Sequence, residues 1–235
     1  MGAQGERRRR SRGNERDRQK RPTPGCQESR VTLGAWRYRG GKCGNSSVDV
    51  NHRILRCRIA IRRIALTHGH GDHAGSLDAL KERLGDSVQI LIPDLDARIH
   101  RGEQVVDGKL PGSWPQNIKT KPDVPLTGGE QVGSLEVVPS PGHTPGHVAF
   151  LDTRDRSLIA GDVYTTYGRT AVTNHFYWRF PLATMGTWDR AKDLELARRL
   201  RELSPSILVV GHGPAVRAPA AAMDAAIARA RSASR

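Results

Sequence analysis

The chain has 235 residues, 38 Lys+Arg against 24 Asp+Glu and a formal net charge of +14, long enough for one large domain or two small ones. No apolar run approaches the roughly 20 residues of a transmembrane helix, and no apolar stretch follows the basic N-terminus, so neither a membrane span nor a secretory leader is expected. Three cysteines without such a leader argue against a disulfide framework and for a reducing, cytoplasmic setting.

The charge is unevenly spread. Residues 1–63 hold 18 Lys+Arg against 5 Asp+Glu, while the remainder holds 20 against 19; Cys26, Cys43 and Cys57 all fall in the first part. The chain therefore divides into a basic segment, 1–57, and an ordinary domain, 58–235. Met1 to about Arg21 contains Arg7-Arg8-Arg9-Arg10 and almost no apolar side chains, and reads as disordered. Pro22 to about Cys57 shows no sustained period of two or 3.6. Two accounts fit this segment: a basic extension that binds nucleic acid or another polyanion, and a stretch translated outside the native frame of the gene. The second is favoured, because a GC-rich coding region read out of frame yields Arg, Gly, Pro and Cys without periodicity.

From Ile59 to Leu66 the residues are apolar enough for a strand, interrupted by Arg62 and Arg63. It delivers Thr67-His68-Gly69-His70-Gly71-Asp72-His73, four metal-binding side chains within six residues, with glycines that let the backbone turn sharply. A His-rich loop can simply be solvated, but four such groups directly behind a buried strand make that reading poor. Leu77, Leu80 and Leu84 then predict a helix over Ala74–Leu84 closed by Gly85, Val88–Ile92 a short buried strand, and Leu95–His100 a helix. Arg101–Val124 reads as a long loop holding Trp114. Leu135–Pro139 is a strand running into Pro141-Gly142-His143-Thr144-Pro145-Gly146-His147. Val148–Leu151 and Leu158–Ala160 are strands, the second ending at Gly161-Asp162. An aromatic-rich loop, Tyr164 to Met185, precedes a helix of about 16 residues ending near Leu203. Ile207–Val210 is a strand delivering Gly211-His212-Gly213, and an Ala-rich helix over about Ala218–Ala230 closes the chain.

One pattern recurs in this order: an apolar strand ends and a glycine-flanked ligand residue follows, at His68, His143, Asp162 and His212. A lone His after a strand is usually a packing or surface residue; four strand ends presenting such groups are what a metal site at a sheet edge requires.

On THGHGDH at 67–73, PGHTPGH at 141–147, GD at 161–162 and GHG at 211–213, the chain from about Ile61 onwards resembles the metallo-β-lactamase-fold hydrolases, in particular their glyoxalase II-like and lactonase-like members. The resemblance implies an α+β fold, a four-layer αββα sandwich, here with an incomplete or atypical N-terminal half. It implies two divalent metal ions, zinc first and iron or manganese as substitutes. His68, His70 and His143 would bind one ion, Asp72, His73 and His212 the other, with Asp162 bridging and Asp72 counted as catalytic too. The implied reaction is attack by a metal-bridging hydroxide on a small thioester, ester or lactone. Alternatives are a nuclease of the same fold, and a catalytically inactive product whose basic tail binds nucleic acid. A carboxylate at 162 favours the esterase-like branch, since many β-lactamases of this fold carry Cys at the matching place. The partner expected is a small-molecule substrate, with nucleic acid reached only through the tail and no membrane. His147 is expected behind the ligands, and His52 and His100 at the surface. A proton-donating tyrosine or other substrate contact is sought among Tyr164, Tyr167, His175, Tyr177 and Trp178. Relatives normally begin with several strands and an Asp-Thr-Gly-type turn; upstream of Ile61 this chain offers neither.

Overall fold

The structure, a computed structural model, describes residues 61–233 and the two-residue strand Val31–Thr32. Readings that fall on the other residues of 1–57, namely disorder, frame and nucleic-acid binding, lie outside the described residues, as does His52.

The described residues form twelve short strands and six helices. Strands β1 (Val31–Thr32), β2 (Arg63–Ala65), β3 (Gln89–Pro93) and β4 (Val124–Leu126) form one sheet in that order, with every pair parallel. Parallel neighbours need crossovers. Helices α1 (Gly71–Ala74) and α2 (Leu77–Leu84) supply that between β2 and β3, and α3 (Asp94–His100) leads from β3 into the long loop before β4. The second sheet runs β12 (Val216–Arg217), β11 (Ile207–Val209), β8 (Ser157–Ile159), β7 (Val148–Asp152), β6 (Leu135–Pro139) and β5 (Gln131–Val132). Its pairs are antiparallel except β11 with β8. The small pair β9 (Tyr164–Thr165) and β10 (Ala171–Val172) stands apart. Helices α4 (Pro181–Gly186), α5 (Arg190–Glu202) and α6 (Ala220–Ala233) complete the order.

Side-chain alternation sorts the core into three layers. On β2 and β3, Ile64, Ile90 and Ile92 pack with Ala74, Leu77 and Ala97 of α1, α2 and α3. Their neighbours Ala65 and Leu91 face the opposite way and meet Val137, Val148 and Phe150 of the second sheet. The other side of that sheet, Ala149, Leu151, Leu158 and Leu208, packs on Leu194, Ala197 and Leu200 of α5 and Met223, Ala226 and Ala230 of α6. Spacings of three and four in those helices put each set on one face. Helix, sheet, sheet, helix: the four-layer sandwich follows from the period-two sorting of two sheets buried on both faces. Among the described residues no helix is long and apolar enough to cross a membrane.

Several elements differ from expectation. Val31–Thr32 joins the first sheet from a stretch without strand periodicity, and β9, β10 and β12 are equally short; two residues cannot display a period. The expected helix over 74–84 is broken into α1 and α2, because residues Gly71–Ala74 turn immediately behind the His loop. The aromatic loop contains α4, which opens on Pro181, suited to a first helical turn.

Candidate metal centre

The strand ends deliver the ligand-type residues to one place, between the carboxyl ends of β2, β6, β8 and β11. His68, His70 and His143 present nitrogens that all lie within 4.8 Å of one another, and so do the ligand atoms of Asp72, His73, Asp162 and His212. These two groups could each hold a cation, and all seven residues singled out in the sequence are in them. Asp162 faces both: Oδ2 is 3.6 Å from His143 Nε2 and 3.2 Å from His212 Nε2, while Oδ1 is 3.4 Å from His73 Nε2. Asp72 Oδ2 lies 3.0 Å from His212 Nε2. Its side chain is half exposed, whereas Asp162 is buried, so the site opens on the Asp72 side.

The electrostatics separate the two groups. Burial pushes His143 down to about 3, and burial also lowers His68 and His70, so the first group consists of neutral imidazoles. His143 Nδ1 donates to Thr187 Oγ1, 3.0 Å away, whose own hydroxyl is committed to the Ala183 carbonyl; this leaves Nε2 as an acceptor facing the site, where His70 Nδ1 meets it at 3.1 Å. In the second group burial opposes the charge on His212, but bonds to Asp162 and Asp72 raise it to about 10. His73 is raised too, since Asp162 and Asp72 outweigh its burial. Burial works against the Asp162 carboxylate, yet His73 and His212 hold it well below the usual range.

The donor set fits divalent ions. His68 Nε2, His70 Nε2, both ring nitrogens of His73 and Asp162 Oδ1 are buried without a hydrogen-bond partner. Orphaned buried polar atoms each cost about 1–3 kcal/mol, and since each ring turns one nitrogen to the site, four of them converging here is what a cation would relieve. Nitrogen and oxygen donors without thiolate suit zinc, iron or manganese.

Residues around the ligands explain how they are held. His147 is buried; its Nδ1 meets Ser140 Oγ at 2.8 Å and its Nε2 accepts the Asp162 N–H at 3.1 Å, so it positions Asp162 from behind. His100, expected at the surface, is buried instead, with Nε2 donating to the Gly69 carbonyl at 2.6 Å. Asp96 is fully buried and accepts from Gly69 N–H, Thr144 Oγ1 and Gly146 N–H. Burial raises its carboxyl to about 6 while these three donors pull it back. Trp114 of the long loop stands edge-on to both His70 and His100, with centroids 4.9 and 5.9 Å away. In the same loop Gly112, at φ +82°, leaves room for His70, whose Nε2 would lie 2.5 Å from a Cβ there.

The aromatic segment divides. Tyr164 is buried and donates to the Ala197 carbonyl, away from the ligands, which removes it as a proton donor. Tyr177 is buried under the Arg169 guanidinium, and Trp178 is exposed beneath Arg179. His175 is half-buried beside Asn174. Tyr167 does approach the site, through Phe180: the Tyr167 and Phe180 rings are 5.7 Å apart, and Phe180 is 4.7 Å from His212. Phe180, Asp96 and Thr187 carried no sequence signal, because a single Phe, Asp or Thr outside a ligand motif is ordinary. His100 had one that was missed, a spacing of four from Asp96 on a short helix.

Comparison with known proteins agrees with this geometry. A family model described as the metallo-beta-lactamase superfamily matches residues 58–212. The Bacillus subtilis (strain 168) protein YobT is 40% identical over 176 residues, covering 73% of this chain and 75% of that protein. The hydroxyacylglutathione hydrolase GloC of Haemophilus influenzae is 27% identical over 128 residues, 51% of this chain and 58% of GloC. Among solved structures, TTHA1623 in a di-iron-bound form aligns with a TM-score of 0.54 at 25% identity, covering 73% of this chain and 79% of that one. The B3 metallo-beta-lactamase BLEG-1 aligns with a TM-score of 0.55 at 21% identity, covering 73% and 78%.

Proposed function

Since this chain belongs to the metallo-beta-lactamase superfamily, we propose that it is a dinuclear metal-dependent hydrolase of small thioesters, esters or lactones. His68, His70 and His143 would hold one ion and Asp72, His73 and His212 the other, with Asp162 shared. Bound there, two divalent cations supply Lewis acidity and bring water within reach of ionisation near neutral pH. Zinc is the first choice; the di-iron form of TTHA1623 makes iron the competitor.

The observation that carries this reading is Asp162, whose two oxygens lie within 3.6 Å of side chains from both groups. A shared carboxylate keeps two like charges close by screening them from each other. The chain's own residues then do three things. Neutral imidazoles in the first group leave nitrogen lone pairs free for coordination at physiological pH. Asp72, at the open side, is kept ionised by its bond with His212, which holds the carboxyl below its usual range. Trp114 and Phe180 wall the mouth with apolar surface, which excludes water and suits a small-molecule substrate with an apolar acyl or ring portion.

Support for the ester-like substrate comes from the carboxylate at 162 and from GloC, a hydroxyacylglutathione hydrolase. The test is metal analysis of purified full-length protein, followed by a panel of a hydroxyacyl thioester, a lactone, an aryl ester and a β-lactam. About two ions per chain and turnover of the thioester or lactone are expected. A chain that takes up no metal, or that turns over only the β-lactam, overturns the reading.

A further inference from the structure

We propose that Asp96, assisted by His100, is a positioning residue that sets the spacing of the two loops carrying the first metal group. The inference rests on the dinuclear reading above and concerns why that group is pre-formed.

The two residues sit one turn apart on α3, so both side chains leave the same face. They grip Gly69, the residue between His68 and His70, from both sides of its backbone. Asp96 Oδ2 accepts the Gly69 N–H at 2.8 Å and His100 Nε2 donates to the Gly69 carbonyl at 2.6 Å. The same carboxylate reaches the other loop. Oδ2 also accepts from Thr144 Oγ1 at 2.7 Å, and Oδ1 accepts from Gly146 N–H at 2.8 Å, with Thr144 directly following His143. One carboxylate thus spans the loop of His68 and His70 and the loop of His143.

Three facts favour positioning over packing. Asp96 is fully buried, and its three hydrogen-bond partners are neutral donors. Burying a carboxylate costs several kcal/mol, so an apolar residue would fill this space at lower cost if packing were its purpose. Next, both loops have glycine where α3 approaches. A Cβ at Gly69 would come within 2.9 Å of His100 Nε2 and 3.0 Å of Asp96 Cβ, and one at Gly146 within 2.7 Å of Asp96 Oδ1. The glycines of the two ligand motifs therefore admit this clamp. Finally, the three ligand-type nitrogens it organises, from two separate loops, all lie within 4.8 Å of one another.

The test uses full-length protein, with Asp96→Asn and Thr144→Val compared with wild type. Asp96→Asn keeps the shape but turns an NH2 towards one of the three donors. Thr144→Val removes one donor and leaves the carboxylate. Zinc is titrated against a chromophoric chelator, and the cobalt-substituted proteins are read by their visible spectra. Wild type should hold two ions tightly. In Asp96→Asn one ion should weaken about 10- to 100-fold, with the cobalt spectrum of one site altered, while the other ion keeps its affinity. If Asp96→Asn is unfolded by circular dichroism, Thr144→Val decides, with a smaller weakening of the same single ion. A folded variant that holds both ions as tightly as wild type overturns the inference alone. Equal weakening of both ions overturns it as well, since the clamp touches only the first group. A wild-type chain that binds no zinc or cobalt overturns the dinuclear reading beneath it, and this inference with it.

Discussion

Replacing Gly211 with alanine adds one methyl group at the end of β11, and the structure makes it a sharp probe of the bridging carboxylate. Gly211 does not have a positive φ, so an L residue meets no backbone penalty there. The new Cβ, however, would stand 2.0 Å from Asp162 Oδ1 and 2.8 Å from His73 Cε1. Ordinary carbon–oxygen contact needs about 3.4 Å, so Asp162 Oδ1 must retreat by roughly 1.4 Å or the strand end must move. Overpacking of this kind costs about 1–3 kcal/mol. Losing glycine's freedom in the unfolded chain returns about 0.4–1 kcal/mol. The net is a Tm lower by at most about 10 °C, at about 2–4 °C per kcal/mol for a domain of this size. The functional effect should be much larger, because a displacement near 1 Å at a reacting centre costs about 100-fold in rate. Gly211→Ala should therefore remain folded, bind less than two ions per chain and lose about two orders of magnitude in kcat. Metal analysis, thermal melting and thioester hydrolysis on one preparation read all three. Two tightly bound ions and a wild-type rate would refute the assignment of Asp162 as the shared ligand.

Other consequences are equally open to measurement. His147→Ala strips the Asp162 N–H of its acceptor and Ser140 of its partner and leaves a cavity. A loss of about 2–4 kcal/mol is expected in a denaturant titration, and unchanged stability would contradict the role given to His147. Burial holds the Asp193 carboxyl well above its usual range, against the bond from Thr173. Its folded state keeps a proton that the unfolded chain releases above pH ~3.9. By linkage wild-type stability falls as pH rises from there to the folded value, by up to about 1.4 kcal/mol per unit, and is flat beyond. Asp193→Asn lacks that slope, so its Tm should gain on wild type as pH increases; parallel Tm curves would count against a buried neutral acid. Phe180→Ala should raise KM about 10- to 100-fold for esters with a large apolar group, matching the ~1.5–3 kcal/mol of a buried ring. Its metal content should stay unchanged, and an unaltered KM would remove Phe180 from the substrate path.

All seven ligand-type residues could be read in the sequence because coordination admits few residue types, and each of the four loops follows a strand whose apolar run is visible. The layers were legible for a similar reason: Ile64, Ala65 and Leu66 alternate between two different cores, as a strand buried on both faces must. What failed was whatever depends on distant partners. His100 and Tyr164 look alike as polar-tipped residues near a motif. One closes on Gly69 while the other turns to the Ala197 carbonyl, and no local pattern says which. Asp96 reads as a favourable charge in the first turn of α3, where acidic residues are common; its role comes from loops 27 and 50 residues away. Two-residue strands such as β9 and β10 have no period to find.

The order in which the chain supplies the two groups has a consequence for its synthesis. His68, His70 and His143 are all in place once the β6–β7 hairpin can form. His212 arrives only after β11 has inserted parallel to β8, a pairing that no hairpin can make and that waits for α4 and α5 to cross over. In the growing chain all three residues of the first group are therefore made well before His212 completes the second. Completion of the second group becomes a mark of completed synthesis: a chain cut short before Ile207 would keep the first trio, Asp72, His73 and Asp162 yet lack His212, the last member of the second group.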